Sequence, residues 1–193
     1  NRIVDELDSD NRPEPESILK IRKAFDEAFA KDADNDICPM KPQRIIRDVR
    51  KALGRKDILI SDVGAHKMWI ARLYYCYEPN TCIISNGFAT MGIGLPGAIS
   101  AKLVHPERRI LTITGDGGFM MNSQELETAV RLKLNIVVLI MNDSSYGLIK
   151  WKQMDQYGKS RYVDFTNPDF VQFAESFGAK GYRIRQAEKL IPT

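Results

Sequence analysis

The sequence has few cysteines, few histidines and no long apolar run, and each shortage excludes a class of protein. Its three cysteines and two histidines are too few and too irregularly spaced for a zinc site or a disulfide framework. We therefore expect reduced thiols in a cytoplasmic protein. The longest uninterrupted apolar run, at 136–141, is much too short to span a membrane. The net charge of +3, with both signs interspersed, gives no reason to expect a nucleic-acid partner.

Hydrophobic residues make up 44% of the 193 positions, which is enough for the core of one α/β domain. Residues 1–42 form a polar lead with a helical apolar pattern at 18–30, and we interpret this lead as an interdomain connector. Residues 43–193 form the predicted domain. Because the chain begins with Asn1 and ends with Thr193 soon after an apolar stretch, we expect it to be a piece of a longer protein.

From Asp57 onward, short apolar runs alternate with helical patterns. Such alternation is typical of a parallel sheet with helices on both faces, a three-layer α/β fold. The predicted strands are 57–61, 81–85, 110–114, 135–141 and 182–185. The predicted helices are 42–53, 66–75, 91–103, 122–132 and 168–177. We expect the domain to lack its last helix and strand, as a C-terminally truncated sheet would.

Two acidic turns follow apolar strands and carry the most chemical information. Asp116 lies in a Gly-Asp-Gly-Gly turn after the strand at 110–114, and Asp143 follows Asn142 after the strand at 135–141. The carboxyl ends of parallel strands form the edge where ligands bind in open α/β sheets. Two carboxylates beside glycine-exposed backbone suit a divalent cation that holds a phosphate group.

The glycines around Asp116 predict a phosphate-binding turn. Gly117 and Gly118 permit close backbone approach, and a helix predicted from Asn122 would point unpaired N–H groups at an anion. Asn122 and Glu125 have the spacing of a capping box at the start of that helix. The alternative interpretation is a tight turn between strand and helix with a capping aspartate.

A second glycine pattern, formed by Gly92, Gly94 and Gly97, matches the dinucleotide-binding fingerprint, with Asp116 near the ribose-binding position. In that fingerprint the glycines follow a strand immediately, whereas here residues 85–90 intervene. Close packing of a helix against the sheet explains these glycines as well. A nicotinamide-binding domain is therefore an alternative, and we favour the packing interpretation.

The Gly-Asp-Gly turn followed by Asn142-Asp143 resembles the signature of thiamine diphosphate-dependent enzymes, which ends in Asn-Asn in most of them. Four further segments are similar to acetolactate synthases, in the right order along the chain: 62–72, 91–98, 124–131 and 174–179. The resemblance extends from about Pro42 to the end. It identifies the chain as the carboxyl-terminal cofactor-binding domain of such an enzyme.

The resemblance implies a set of site residues for thiamine diphosphate and Mg²⁺. The metal ligands would be the carboxylates of Asp116 and Asp143 and the backbone carbonyl of Ser145. Met91 would be the bulky residue beneath the cofactor that bends it into its reactive shape. The remaining cofactor contacts would come from Gly64, Ala65, His66, Ala89, Gly117, Gly118, Tyr146, Gly147 and Leu148.

The resemblance also implies the reaction: decarboxylation of pyruvate and carboligation to a second 2-oxoacid, which gives 2-acetolactate. The glutamate that activates the cofactor would come from another domain, in a homodimer or homotetramer, so the isolated chain should be inactive. Pyruvate oxidase and 2-oxoacid decarboxylase remain alternatives within the superfamily. Asp143 favours the catabolic acetolactate synthases, whereas His66 is more similar to the biosynthetic ones.

Overall fold

The computed structural model describes residues 15–191, apart from the side chains at positions 28 and 29. The first 14 residues of the predicted lead and the last two residues of the chain lie outside this range. The strands are β1 (Ile58–Ser61), β2 (Cys82–Ile84), β3 (Ile110–Gly115) and β4 (Ile136–Met141). The α-helices are α1 (Glu16–Ala33), α2 (Pro42–Ala52), α3 (Ala65–Leu73), α4 (Gly94–Val104), α5 (Asp116–Met121), α6 (Leu126–Arg131), α7 (Gly147–Tyr157) and α8 (Phe170–Ser176).

The four strands form one parallel sheet in the order β2-β1-β3-β4. Leu59 pairs with Cys82 on one side and with Leu111 on the other, and Gly115 at the end of β3 pairs with Met141 at the end of β4. Because the strands are parallel and in register, their carboxyl ends meet at one edge. The turns that follow β1, β3 and β4 therefore lie side by side.

Helices cover both faces of the sheet, since alternate strand residues point to opposite sides. On one face, β1 and β3 pack against α2 and α3 through Ile45, Ile46, Val49, Leu59, Ile70, Leu111 and Ile113. On the other face, they pack against α4 through Ile58, Ile60, Ala98 and Ile110, and beside it α4, α5 and α6 contribute Leu95, Ile99, Phe119, Leu126 and Ala129. Burial of each aliphatic side chain contributes roughly 1.5–3 kcal/mol. The predicted three-layer α/β fold is confirmed.

Ion pairs fix the end of the lead to α2. Arg44 donates to the buried Asp48 carboxylate at 2.7 Å and also contacts Asp36, while Arg47 pairs with Asp34. Asp48 is 1% exposed, so its charge needs these partners. Residues 34–36 are therefore held against the domain, and the boundary between lead and domain stays a prediction.

Two predicted elements differ from the structure. The helix predicted at 122–132 begins earlier, at Asp116, and is interrupted at Asn122 before α6. Asn122 does not cap a helix through its side chain. Its Oδ1 accepts from the side-chain amide of Gln124 at 3.4 Å, and its Nδ2 donates to the carbonyl of Gly92 at 2.9 Å. The strand predicted at 182–185 does not form: residues 181–185 have no regular secondary structure, and Gly181 lies directly against the backbone of Val171 in α8.

Candidate cofactor site

The candidate site is the part of an open cavity that lies at the carboxyl edge of the sheet, and the same cavity continues along β4 and α8. The turns after β1, β3 and β4 and the loop before α4 all contribute to its wall. The cavity is lined by every predicted site residue: Gly64, Ala65, His66, Ala89, Met91, Asp116, Gly117, Gly118, Asp143, Ser145, Tyr146, Gly147 and Leu148. The fold thus brings together residues that are up to 84 positions apart in the chain.

Asp116 is the first residue of α5 and is buried, with 1% of its surface exposed. Its Oδ1 accepts a hydrogen bond from the backbone N–H of Gly117 at 2.8 Å. Its Oδ2 accepts from the backbone N–H of Ser144 at 2.6 Å and from the side-chain amide of Asn167 at 2.7 Å. These bonds and the helix N-terminus stabilise a carboxylate away from water.

Asp143 follows β4 and is exposed to solvent on the cavity side of the sheet. Its Oδ1 accepts from the backbone N–H of Ser145 at 3.2 Å. Partial desolvation raises the pKa of Asp143 above its usual value, and the charge of Asp116 raises the pKa further. The two carboxylates therefore repel each other, and a bound cation would relieve that repulsion.

Replacement of Asp143 by asparagine (D143N) should increase the free energy of unfolding of the metal-free protein, because it removes one of two repelling charges. The same variant should need Mg²⁺ less strictly for cofactor binding. Urea unfolding without metal and calorimetric titration with Mg²⁺ measure the two effects. A metal-free D143N protein that is less stable than the wild type would show that the repulsion is unimportant.

The raised pKa of Asp143 also gives a pH dependence with a definite sign. The folded protein binds this proton more tightly than the unfolded chain, so the destabilising charge is absent at pH values below the unfolded pKa of about 3.9. The destabilisation by this charge grows as the pH rises from the unfolded pKa through the higher folded-state pKa. Mg²⁺ needs the ionised carboxylate, so Mg²⁺ affinity should fall as the pH is lowered through that same range. In D143N this part of the pH dependence should disappear.

Two glycines allow close packing beside the cavity. A Cβ atom at Gly117 would lie 2.6 Å from Cε1 of Tyr146, and one at Gly147 would lie 3.1 Å from Oδ2 of Asp143. Side chains at these positions would collide with Tyr146 or crowd the Asp143 carboxylate. Gly117 is itself buried, so glycine here lets the Tyr146 ring lie directly on the turn that carries Asp116.

His66 contributes a buried polar atom to the same cavity. The residue is 5% exposed, and its Nε2 has no hydrogen-bond partner among the described residues. Burial lowers the pKa of His66, while the nearby Asp62 carboxylate partly offsets the shift, so the ring is neutral at pH 7. A buried nitrogen without a partner suits a polar ligand.

Asp62 is a buried residue of the site region that the sequence interpretation did not select. It is 0% exposed and accepts from the backbone N–H groups of Gly92 at 3.0 Å and Gly94 at 3.2 Å, and from the hydroxyl of Thr114 at 3.0 Å. These bonds tie the loop that carries Met91 to β1 and β3. The position of Asp62 directly after a predicted strand could have identified it as a residue of the site region.

Ala89, in that same loop, has a φ of +49°, which is rare for a residue with a side chain.

The glycines that match the dinucleotide-binding fingerprint lie against neighbouring side chains. A Cβ atom at Gly97 would lie 3.2 Å from the side chain of Ile60, and Gly94 is similarly close to Asp62 and Thr112. This geometry supports the packing interpretation.

The metal-binding potential of the cavity is limited to few side chains. Across residues 15–191, no group of three or more His, Cys, Asp or Glu side chains is arranged to hold a metal. The expected Mg²⁺ site is compatible with that finding, since it uses two carboxylates and a backbone carbonyl, with the remaining ligands from phosphate and water.

None of the helices within residues 15–191 is both long and apolar enough to cross a membrane.

Comparison with known proteins identifies relatives over most of the chain. The acetolactate synthase of Bacillus subtilis (strain 168) is 43% identical over 149 residues, which cover 77% of this chain and 26% of that protein. The catabolic acetolactate synthase of Raoultella terrigena is 41% identical over 80% of this chain and 28% of its own length. The mitochondrial acetolactate synthase catalytic subunit of Saccharomyces cerevisiae is 34% identical over 90% of this chain and 26% of its own length.

The chain therefore spans between a quarter and a third of the length of these curated relatives. The family described as "Thiamine pyrophosphate enzyme, C-terminal TPP binding domain" matches residues 62–193, well over half of the sequence. The predicted resemblance is confirmed, and so are the cofactors, since this family binds thiamine diphosphate with Mg²⁺. The chain belongs to the thiamine pyrophosphate enzymes and carries their C-terminal cofactor-binding domain.

Proposed function

We propose that this chain is the cofactor-binding domain of an acetolactate synthase, which decarboxylates pyruvate and joins the product to a second 2-oxoacid to give 2-acetolactate. The observation that carries the proposal is the pair of carboxylates, Asp116 and Asp143, beside Gly117 at the carboxyl edge of the sheet. The names of the relatives support this reaction over that of a pyruvate oxidase or a 2-oxoacid decarboxylase.

The residues of the cavity fit a magnesium diphosphate. Asp116, Asp143 and the carbonyl of Ser145 would hold the metal, which prefers oxygen ligands. The backbone of Gly117 and Gly118 would meet the diphosphate on one side. Residues 64–66 would meet it on the other side, where the neutral His66 adds no charge.

The remaining cavity residues would shape the organic part of the cofactor. When bound, thiamine diphosphate would supply the carbon nucleophile that a reaction with a 2-oxoacid requires. Met91 would hold the two rings of the cofactor in a bent arrangement, and Asp62 keeps its loop in place through Gly92 and Gly94. Ala89, Tyr146, Gly147 and Leu148 would line the pocket around the rings.

We further propose that the chain depends on other domains for activity. By analogy with the family, the activating glutamate would lie outside this sequence, on a partner subunit of a dimer or tetramer. The isolated 193-residue chain should therefore bind the cofactor weakly or not at all, and should not turn over. Measurable carboligase activity from the isolated chain would contradict this part of the proposal.

Calorimetric titration and product analysis test the main proposal. The intact protein, as its gene encodes it, should bind thiamine diphosphate only with Mg²⁺ present, should not bind NAD, and should convert pyruvate to 2-acetolactate with release of CO₂. Binding of NAD without thiamine diphosphate would overturn the family function. Acetaldehyde or acetyl phosphate as the main product would instead favour the decarboxylase or oxidase alternative.

A further inference from the structure

Residues 163–167 form a strap that crosses the turn after β4. The backbone N–H of Tyr146 donates to the carbonyl of Val163 at 2.9 Å, and that of Phe165 donates to the carbonyl of Ser144 at 3.0 Å. Ser145 and Asp164 form an isolated antiparallel bridge between these two bonds. The strap thereby holds the turn that contains Ser145, one of the proposed metal ligands.

Asn167, at the end of this strap, directs its side-chain amide at a cluster of oxygen atoms. Its Nδ2 lies 2.7 Å from Oδ2 of Asp116, 3.0 Å from Oδ1 of Asn142 and 3.3 Å from Oγ of Ser144. Exchange of the amide oxygen and nitrogen would place an acceptor against the Asp116 carboxylate. The surrounding acceptors thus fix the orientation of the amide, with its nitrogen toward Asp116.

The two carboxylate oxygens of Asp116 accept different numbers of hydrogen bonds. Oδ2 accepts two short bonds, from the N–H of Ser144 and from Asn167, which use both of its lone pairs. Among the described residues, Oδ1 accepts one hydrogen bond, from the N–H of Gly117. A lone pair therefore remains on Oδ1 for a metal ion.

We propose that Asn167 is a positioning residue for the metal: it binds Oδ2 of Asp116 and so presents Oδ1 to Mg²⁺. This inference rests on the proposed function, because it assigns a role to a residue that does not itself bind the metal. Hydrogen bonds of this kind to a ligating carboxylate orient it and tune its affinity for the ion. Asn167 also joins the strap to the turns after β3 and β4, because the same amide contacts Asp116 and the two residues that flank Asp143 in the chain.

Two substitutions test whether the hydrogen-bond donor of Asn167 or the size of its side chain matters for metal binding. N167A removes the amide, and N167D keeps its size but replaces the donor with a second carboxylate beside Asp116. Both should weaken Mg²⁺ affinity by about 10–100-fold in the presence of thiamine diphosphate. Q172A is the matched control, because Gln172 is an exposed amide residue on the adjacent α8, and it should leave the affinity unchanged.

The experiment is calorimetric titration of the intact protein with Mg²⁺ at saturating thiamine diphosphate, with a thermal melt of each metal-free variant. Excess Mg²⁺ should restore acetolactate formation by N167A, whereas a damaged fold would not be rescued by metal. If either variant fails to fold, N167S decides the question, since its short hydroxyl side chain cannot reach Asp116.

The outcomes distinguish this inference from the proposed function. A wild-type protein that does not bind Mg²⁺ with thiamine diphosphate would reject the proposed function itself. Binding by the wild type together with unchanged Mg²⁺ affinity in N167A or N167S would overturn the role of Asn167 alone. Tighter Mg²⁺ binding by N167D would also overturn it, because residue 167 would then act as a ligand rather than as a donor.

Discussion

Replacement of Asp116 by alanine (D116A) is expected to abolish magnesium-dependent cofactor binding. Asp116 is the buried carboxylate around which the turns after β3 and β4 are arranged, through bonds from Gly117, Ser144 and Asn167. Its loss would remove a proposed metal ligand and would leave the N–H groups of Gly117 and Ser144 without this acceptor. Replacement of a residue that hydrogen-bonds a metal ligand weakens metal affinity by up to ~100-fold. We expect the loss of Mg²⁺ affinity in D116A to be larger than this.

Calorimetric titration of D116A with Mg²⁺ and thiamine diphosphate measures this effect. D155A is a suitable control, since it removes the same charge from an exposed position on α7. The control should bind as the wild type does. Retention of Mg²⁺-dependent binding by D116A, within a few-fold of the wild type, would mean that the metal is held elsewhere.

Replacement of Phe119 by alanine (F119A) should reduce the free energy of unfolding by about 3–5 kcal/mol, the usual cost of a large cavity in a core. Phe119 is 5% exposed and packs edge-on against Phe170 and Phe173, with ring centroids 5.6 and 6.1 Å away. It lies on α5 directly after Gly118, so its packing also anchors the turn that carries Asp116. The loss is a large fraction of the roughly 5–15 kcal/mol that stabilises a typical domain.

Urea unfolding of F119A measures this loss, and F88A provides the control. Phe88 is fully exposed, so its replacement should change the free energy of unfolding by less than about 0.5 kcal/mol. If F119A loses under about 1 kcal/mol, α8 does not hold α5 against the sheet as the structure indicates.

The strands and the two carboxylates could be predicted because their signals are local. The apolar runs at 110–114 and 136–141 are long enough to be buried, and an acidic residue two positions after each must lie at the carboxyl edge. The start of α5 at Asp116 was missed, since two glycines in its first turn disfavour a helix by intrinsic propensity. The acidic residue at the helix N-terminus and the burial of Phe119 offset that preference.

The other differences have long-range causes. Asn167 acts across 51 positions of sequence through the strap, and no local pattern distinguishes it from any asparagine before a proline. Tyr182 and Ile184 alternate with arginines as in a strand, yet a strand needs a paired neighbour, and among the described residues the sheet ends at β4. Asn122 has the spacing of a capping box, but its side-chain amide donates to the carbonyl of Gly92, 30 positions earlier in the chain.

The most direct test of the central claim is a crystal structure of the intact protein with Mn²⁺ in place of Mg²⁺ and with thiamine diphosphate. The anomalous signal of the metal should lie within bonding distance of one carboxylate oxygen each from Asp116 and Asp143, of the Ser145 carbonyl and of the diphosphate. A metal peak remote from either carboxylate, or a diphosphate bound outside the cavity beside Gly117, would contradict the account.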